Sequence, residues 1–191
     1  MNLSTDRWLF QKKLLARGRA VAALAPSSAE LCRAMAAAVD PRVPQVVVEL
    51  GAGTGAVTAA AAARLHPASR LVAVEIDEDF AAVARRAAPR AEVVVGDVAM
   101  LRSLLLPLGL QRVDVVLSGL PFPSLPASTR AAVIGWVAQH PEATFHQLTV
   151  MPWVYAGLYR TLFEQVTFDL VWRNLPPGGV YRCAELRTWG G

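Results

Sequence analysis

The chain has 191 residues, enough for one domain with its own core. It is 54% hydrophobic, yet no run reaches the ~18–20 uncharged apolar residues of a membrane span. The longest candidate, Ala143 to Tyr159, is broken by His146, Gln147 and Pro152. Its net charge of +4 permits an anionic partner such as nucleic acid or a lipid surface without requiring one. Cys32 and Cys183 stand far apart with no metal-ligand spacing and read as reduced packing residues. Asp6, Arg7, Lys12, Lys13 and Arg17 interrupt any signal-peptide core, so a cytoplasmic protein is expected.

The first 19 residues carry Arg7, Lys12, Lys13, Arg17 and Arg19 against one acid, Asp6. Trp8, Leu9, Phe10, Leu14 and Leu15 are interleaved with them. At helical spacing Leu3, Phe10 and Leu14 cluster, although Arg7 and Gln11 intrude on that face. Two readings stand: a helix packed on the domain, or one lying on an anionic membrane surface. After Ala25-Pro26, Ser27 is expected to cap a second helix, with Glu30 completing a capping box. Leu31, Cys32, Met35 and Val39 give that helix its apolar stripe. Residues 1–43 are thus an amino-terminal helical segment, and 44–191 the main domain.

From there strands and helices alternate. Strands are expected at 45–50, 70–76, 91–96, 113–119 and 144–150, with helices at 56–65, 78–88, 99–106, 127–139 and 153–162. Strands at 168–175 and 180–186 follow, joined by a turn at Pro176-Pro177-Gly178-Gly179. Short apolar strands separated by helices imply an α/β fold with a parallel sheet covered on both faces. The tight last turn makes the final two strands an antiparallel hairpin.

The turn "ELGAGTG" follows the first strand and opens the first following helix. In an open parallel sheet, ligands bind at the carboxyl ends of the strands where strand order reverses. The spacing Gly51-x-Gly53-x-Gly55 with Ala56 technically satisfies a dinucleotide turn, but the surrounding residues separate the two readings. Glu49 precedes the turn. Glu75 ends the second strand, where a carboxylate can accept from both ribose hydroxyls. Asp97 follows the third strand, placed to accept from an adenine amine, and Ile76 and Val98 can pack on the adenine faces. No Lys or Arg lies near the turn to offset a pyrophosphate. A cluster of acids suits a ligand with a sulfonium and a cationic amino acid part, which is S-adenosylmethionine.

These residues resemble the class I S-adenosylmethionine-dependent methyltransferases: "VVELGAGTG", "VAVEID" and "VVVGD" look like their first three motifs, in order. The resemblance implies a Rossmann-like domain with a seven-stranded, mostly parallel sheet. "SGLPFPSLP" is similar to the Asn-Leu-Pro-Tyr/Phe sequence of ribosomal RNA adenine dimethyltransferases, but Ser118 and Gly119 stand where an Asn amide would hold a planar amine. The closer resemblance is to bacterial phospholipid N-methyltransferases. It covers most of the chain, through "APSSAELCRAMA", "SGLPFPSLP" and "VWRNLPPGGVYR". It departs in the fifth strand, where Val150 follows "QLT" and an aromatic is expected.

That resemblance implies stepwise methylation of phosphatidylethanolamine toward phosphatidylcholine, by a monomer held on the inner face of the cytoplasmic membrane through its basic first helix. The expected cofactor contacts are Ser28, Glu49, Gly51, Gly53, Thr54, Gly55, Glu75, Ile76, Asp97, Val98, Ser118, Gly119 and Leu120. On the acceptor side, Phe122 and Tyr181 are expected to cage the amine and its methylated products through cation–π contact. Arg182, with Arg173 beside it, is expected to hold the lipid phosphate, and Asn174 to orient the head group. His146 reads as a buried, satisfied histidine. Methylation of RNA or a small amine at the same cofactor site stays open, as do a non-catalytic membrane-binding module and a nicotinamide dehydrogenase.

Overall fold

The computed structural model describes residues 28–151, 154–174 and 177–187. The basic amino-terminal segment lies outside the described residues. Seven strands form one sheet: β1 (Val46–Leu50), β2 (Arg70–Glu75), β3 (Glu92–Val95), β4 (Val115–Ser118), β5 (Thr144–Thr149), β6 (Phe163–Val171) and β7 (Gly178–Leu186). The helices are α1 (Ala29–Ala36), α2 (Ala56–Ala62), α3 (Glu78–Ala87), α4 (Leu101–Leu105), α5 (Ala127–Val137) and α6 (Ala156–Leu162). The spatial order is β3-β2-β1-β4-β5-β7-β6. β1 pairs in parallel with β2 on one side and β4 on the other, so the strand order reverses at β1. β7 runs antiparallel to both β5 and β6. This is the expected Rossmann-like sheet with its antiparallel hairpin.

The central strands are apolar on both sides because helices cover both faces. Val48, Leu50, Val72, Val74 and Val116 have no exposed surface and share a core with α5, α6 and the ring of Phe145. Val47, Leu71, Val115 and Leu117 face the other way, onto Leu31, Cys32 and Met35 of α1 and Val57 and Ala61 of α2. Each such aliphatic side chain contributes about 1.5–3 kcal/mol on burial. Helix α1 therefore shares a core with the sheet. Both cysteines are buried, and neither is in a disulfide.

Local chemistry sets the helix ends. Asp77 caps α3 by accepting from the N–H groups of Asp79 (3.0 Å) and Phe80 (3.2 Å). Glu78 and Asp79 occupy its first turn and Arg85 and Arg86 its last, which suits the helix dipole. At α1 the cap differs from expectation. The helix begins at Ala29, and Ser28 caps it by accepting from Leu31 N–H at 3.2 Å. Glu30 pairs with Arg33 at 3.1 Å in place of a capping box, because it sits two residues past the cap and not three. Ser27 lies outside the described residues.

The last third also differs in its boundaries. β6 starts at Phe163, directly after α6, and ends at Val171. Trp172 to Asn174, expected as strand, form the turn. Gly178 and Gly179, expected in that turn, are paired strand residues opposite Val171 and Leu170. Pairing with β7 along its whole length decides these limits, and that partner is not visible in the local pattern of "FEQVT".

Candidate active site

The turn after β1 opens at the point where strand order reverses. Gly51, Gly53 and Gly55 all lie in the left-handed region, at φ of 78°, 54° and 80°. Gly55 is the cap of α2, and a Cβ there would lie 2.7 Å from Ala84 Cα of α3. Glycine is therefore required for both its backbone angle and the packing of the two helices. Across the turn, Gly119 donates its N–H to Leu50 O at 2.9 Å. A Cβ on Gly119 would stand 2.9 Å from Gly51 O, so the β4 loop and the glycine turn touch backbone to backbone.

Glu75 organises this turn. It is 8% exposed; its Oε2 accepts from Gly53 N–H at 2.8 Å and its Oε1 from Asp77 N–H at 3.0 Å. The carboxylate is thus pre-positioned, with lone pairs left for hydroxyl donors. Asp97 accepts from Ala99 N–H at 2.9 Å and caps the 3₁₀ turn Val98–Met100. Gly51, Glu75, Ile76, Asp97, Val98 and Leu120 line one cleft of about 220 Å³. Leu125, Pro126 and Thr129 line it as well. Sequence reasoning missed these three, since nothing local marks them as neighbours of β2 and β3. A larger groove of about 590 Å³ between α4 and α5 touches none of the expected residues.

Glu49 lies outside the walls of that cleft. It is 1% exposed, with its Oε2 buried and unpartnered by the described residues. Burial pushes its carboxyl from the ordinary 4.5 up to about 8, against the pull of the Thr58 hydroxyl and with a further push from the Glu75 charge. A proton-bearing acid two residues before the glycine turn is poised to ionise when a cation arrives.

On the other side of Leu120 the sheet presents a row across β4, β5 and β7: Ser118 opposite Gln147, and Gln147 opposite Tyr181. Phe122 has no exposed surface and packs edge-on against Phe145, with ring centroids 5.9 Å apart, and at 6.3 Å from Tyr159. Tyr159 lies 4.7 Å from Tyr181, and Tyr181 4.7 Å from Phe168. The structure thus brings Phe122 and Tyr181 together through Tyr159, on α6. No sequence signal singled out Tyr159. Nor did any single out Gln147, which follows His146 in a strand of mixed polar and apolar residues.

Ser28 and Asn174 also meet, 146 residues apart in sequence: Ser28 N–H donates to Asn174 Oδ1 at 3.0 Å. Asn174 is buried, tying α1 to the hairpin turn. Arg182 faces away from Tyr181 and forms an ion pair with Asp169 at 2.5 Å. A phosphate would have to share that guanidinium with Asp169. Arg173 is exposed in the turn beside Trp172. His146 is 6% exposed and 2.9 Å from Thr144 Oγ1, and burial lowers its pKa to about 4, so it is neutral.

The pieces fit a nucleoside sulfonium. The glycine turn gives close approach, Glu75 is fixed by backbone donors, and Glu49 is a buried acid with its Oε2 unpartnered among the described residues. Residues 47–142 match the methyltransferase domain family. Over 187 residues the chain is 45% identical to ornithine lipid N-methyltransferase of Singulisphaera acidiphila, covering 95% of this chain and 97% of that one. An O-methyltransferase from Bacillus cereus in complex with S-adenosylhomocysteine superimposes with a TM-score of 0.68 at 13% identity, covering 97% and 93% of the two chains. The O-methyltransferase TomG from Streptomyces achromogenes, in complex with S-adenosylmethionine, gives 0.62 at 18% identity, covering 96% and 91%.

Proposed function

We propose, from the premise that the chain belongs to the methyltransferase domain family, that it transfers methyl groups from S-adenosylmethionine to the amine of a lipid head group. The observation that carries the substrate class is the 45% identity to an ornithine lipid N-methyltransferase across 95% of the chain, which includes the fourth-strand loop and the hairpin. Ornithine lipid is therefore the first acceptor in this reading. Phosphatidylethanolamine is the second, favoured by the resemblance of "SGLPFPSLP" to phospholipid N-methyltransferases. Both offer a primary amine beside an apolar anchor.

S-adenosylmethionine supplies an electrophilic methyl on a sulfonium. In this reading Gly51, Gly53, Thr54 and Gly55 let the turn approach it, and Glu75 and Asp97 accept from ribose and adenine. Glu49 faces its cationic amino acid end. Gly119 and Leu120 separate this cleft from the aromatic cluster. Methyl transfer needs alignment and exclusion of water more than acid–base work. An amine attacks only as the neutral base. The faces of Phe122, Tyr159 and Tyr181 favour the methylated cation that forms.

Approach from a membrane surface is supported by the rim at this end of the sheet. Trp172 is 71% exposed in the turn beyond β6, with Met151 and Val154 exposed in the connection after β5. An exposed Trp beside an Arg is suited to a bilayer interface. Among the described residues no helix is long and apolar enough to cross a membrane. The basic first helix is proposed as a second contact, with the protein a monomer on the inner face of the cytoplasmic membrane.

The test is transfer of labelled methyl from S-adenosylmethionine into vesicles that contain an anionic lipid and either ornithine lipid or phosphatidylethanolamine, resolved by chromatography. Label in methylated ornithine lipid is expected, reduced severalfold in Trp172→Ser through weaker vesicle binding. Cofactor binding without label in either lipid would overturn the substrate class, and RNA and small amines would then be tried.

A further inference from the structure

Gln147, one hydrogen bond away from the cleft residue Leu120, is held by one end of its amide only among the described residues. Its Nε2 donates to Leu120 O and to Leu148 O, each at 2.8 Å. Carbonyls only accept, so two of them at one end identify that end as the nitrogen. The other end, Oε1, is buried without a donor among the described residues, on a residue 1% exposed. An acceptor buried without a donor destabilises a fold. A methionine in that place would avoid the cost. The oxygen is accounted for when a ligand brings the donor.

Its position says which ligand. Leu120 lines the cofactor cleft, and Gln147 braces Leu120 from behind. Ser118 Oγ, beside Gln147 in register, is a second buried oxygen without a partner among the described residues. The rings of Tyr181, Tyr159 and Phe122 continue the same face. Lone acceptors against aromatic faces suit an amine, which donates N–H as the neutral base and gains from the ring faces once it is a cation.

We propose that Gln147 Oε1 accepts an N–H of the acceptor amine, aims its lone pair at the methyl donor, and so distinguishes acceptors by the number of methyl groups they already carry. This rests on the lipid N-methyltransferase reading and deepens it. In each round the nitrogen lone pair forms the new C–N bond while the C–S bond breaks and its electron pair stays on sulfur as a neutral thioether. The new ammonium returns a proton to solvent before the next round. A neutral primary amine has two N–H groups to offer, a monomethylated amine one, and a dimethylated amine none. Gln147 therefore assists the first and second transfers and contributes nothing to the third.

The experiment uses Gln147→Met, which keeps the volume and removes the amide. Vesicles carry the unmethylated, monomethylated or dimethylated head group, one at a time, with ornithine and ethanolamine lipids in separate series. The dimethylated acceptor is scored by turnover or, where it is not turned over, by competitive inhibition. The proposal expects kcat/KM to fall on the order of tenfold on the first two acceptors and to hold within about twofold on the third. Equal losses on all three would make Gln147 a brace for the Leu120 turn and overturn the proposal while leaving the lipid reading intact. If the Met variant fails to bind S-adenosylmethionine, Gln147→Asn takes its place. It retains an amide but withdraws the oxygen by one methylene, and the same criterion applies. A wild-type protein that labels none of these lipids removes the lipid reading and this proposal with it.

Discussion

Glu49→Gln separates stability from binding at one atom. The folded protein holds a proton on Glu49 up to a pH of about 8, whereas the ordinary value is 4.5. The unfolded chain releases that proton above 4.5, so folding must recover it. Stability is therefore fully present below 4.5 and declines as pH rises toward 8. At pH 7 the cost is about 3 kcal/mol, from ~1.4 kcal/mol per pH unit. Glutamine has the same shape and no charge. Glu49→Gln should raise apo stability by up to about 3 kcal/mol at pH 7, or roughly 6–12 °C in Tm for a chain of this size, and by almost nothing at pH 4.5. Urea unfolding at a series of pH values measures this directly. Binding should move the other way. A cation beside Glu49 favours its ionised form, so S-adenosylmethionine binding below pH 8 should release up to one proton. Calorimetry in two buffers of different ionisation enthalpy counts it. Affinity should tighten by up to about tenfold per pH unit between 6 and 8 and then level off. The variant should bind weakly at every pH. A variant destabilised equally at all pH values, or wild-type binding that releases no proton, would refute the assignment of Glu49 to the cation.

Gly119→Ala should weaken S-adenosylmethionine binding by at least about tenfold, because its Cβ would meet Gly51 O at 2.9 Å and neither backbone can yield without moving the turn. An unchanged Kd in equilibrium dialysis would show that the two loops move freely past one another. His146 should shape the acid limb of stability. Burial holds it neutral down to about 4 against an ordinary 6.5, so stability is intact above 6.5 and is lost as pH falls from there toward 4. The loss should reach about 3 kcal/mol, and His146→Gln should flatten that limb in urea midpoints measured across the same range.

The strand–helix alternation, the parallel sheet and the antiparallel hairpin were legible in the sequence because each rests on short-range signals. Continuous Val-rich runs mark strands with both faces covered, and the three glycines mark a turn whose backbone lies in the left-handed region. The acids at the ends of β1, β2 and β3 were legible for the same reason: motif and strand end coincide. Where the partner is distant, the sequence was silent or misplaced the boundary. β6 begins at Phe163 because β7 pairs with it there, and Ser28 caps α1 while its N–H is taken by Asn174 from the far end of the chain. Sequence chemistry determined that this protein has an acid-lined glycine turn suited to a sulfonium nucleoside. Only the tertiary structure decided that Glu49 is buried, that Tyr159 joins Phe122 to Tyr181, and that Gln147, bonded to Leu120 O, presents an oxygen unpartnered among the described residues. Each of these depends on which strands lie side by side, and sheet order follows from burial summed over the whole chain, which no local stretch encodes.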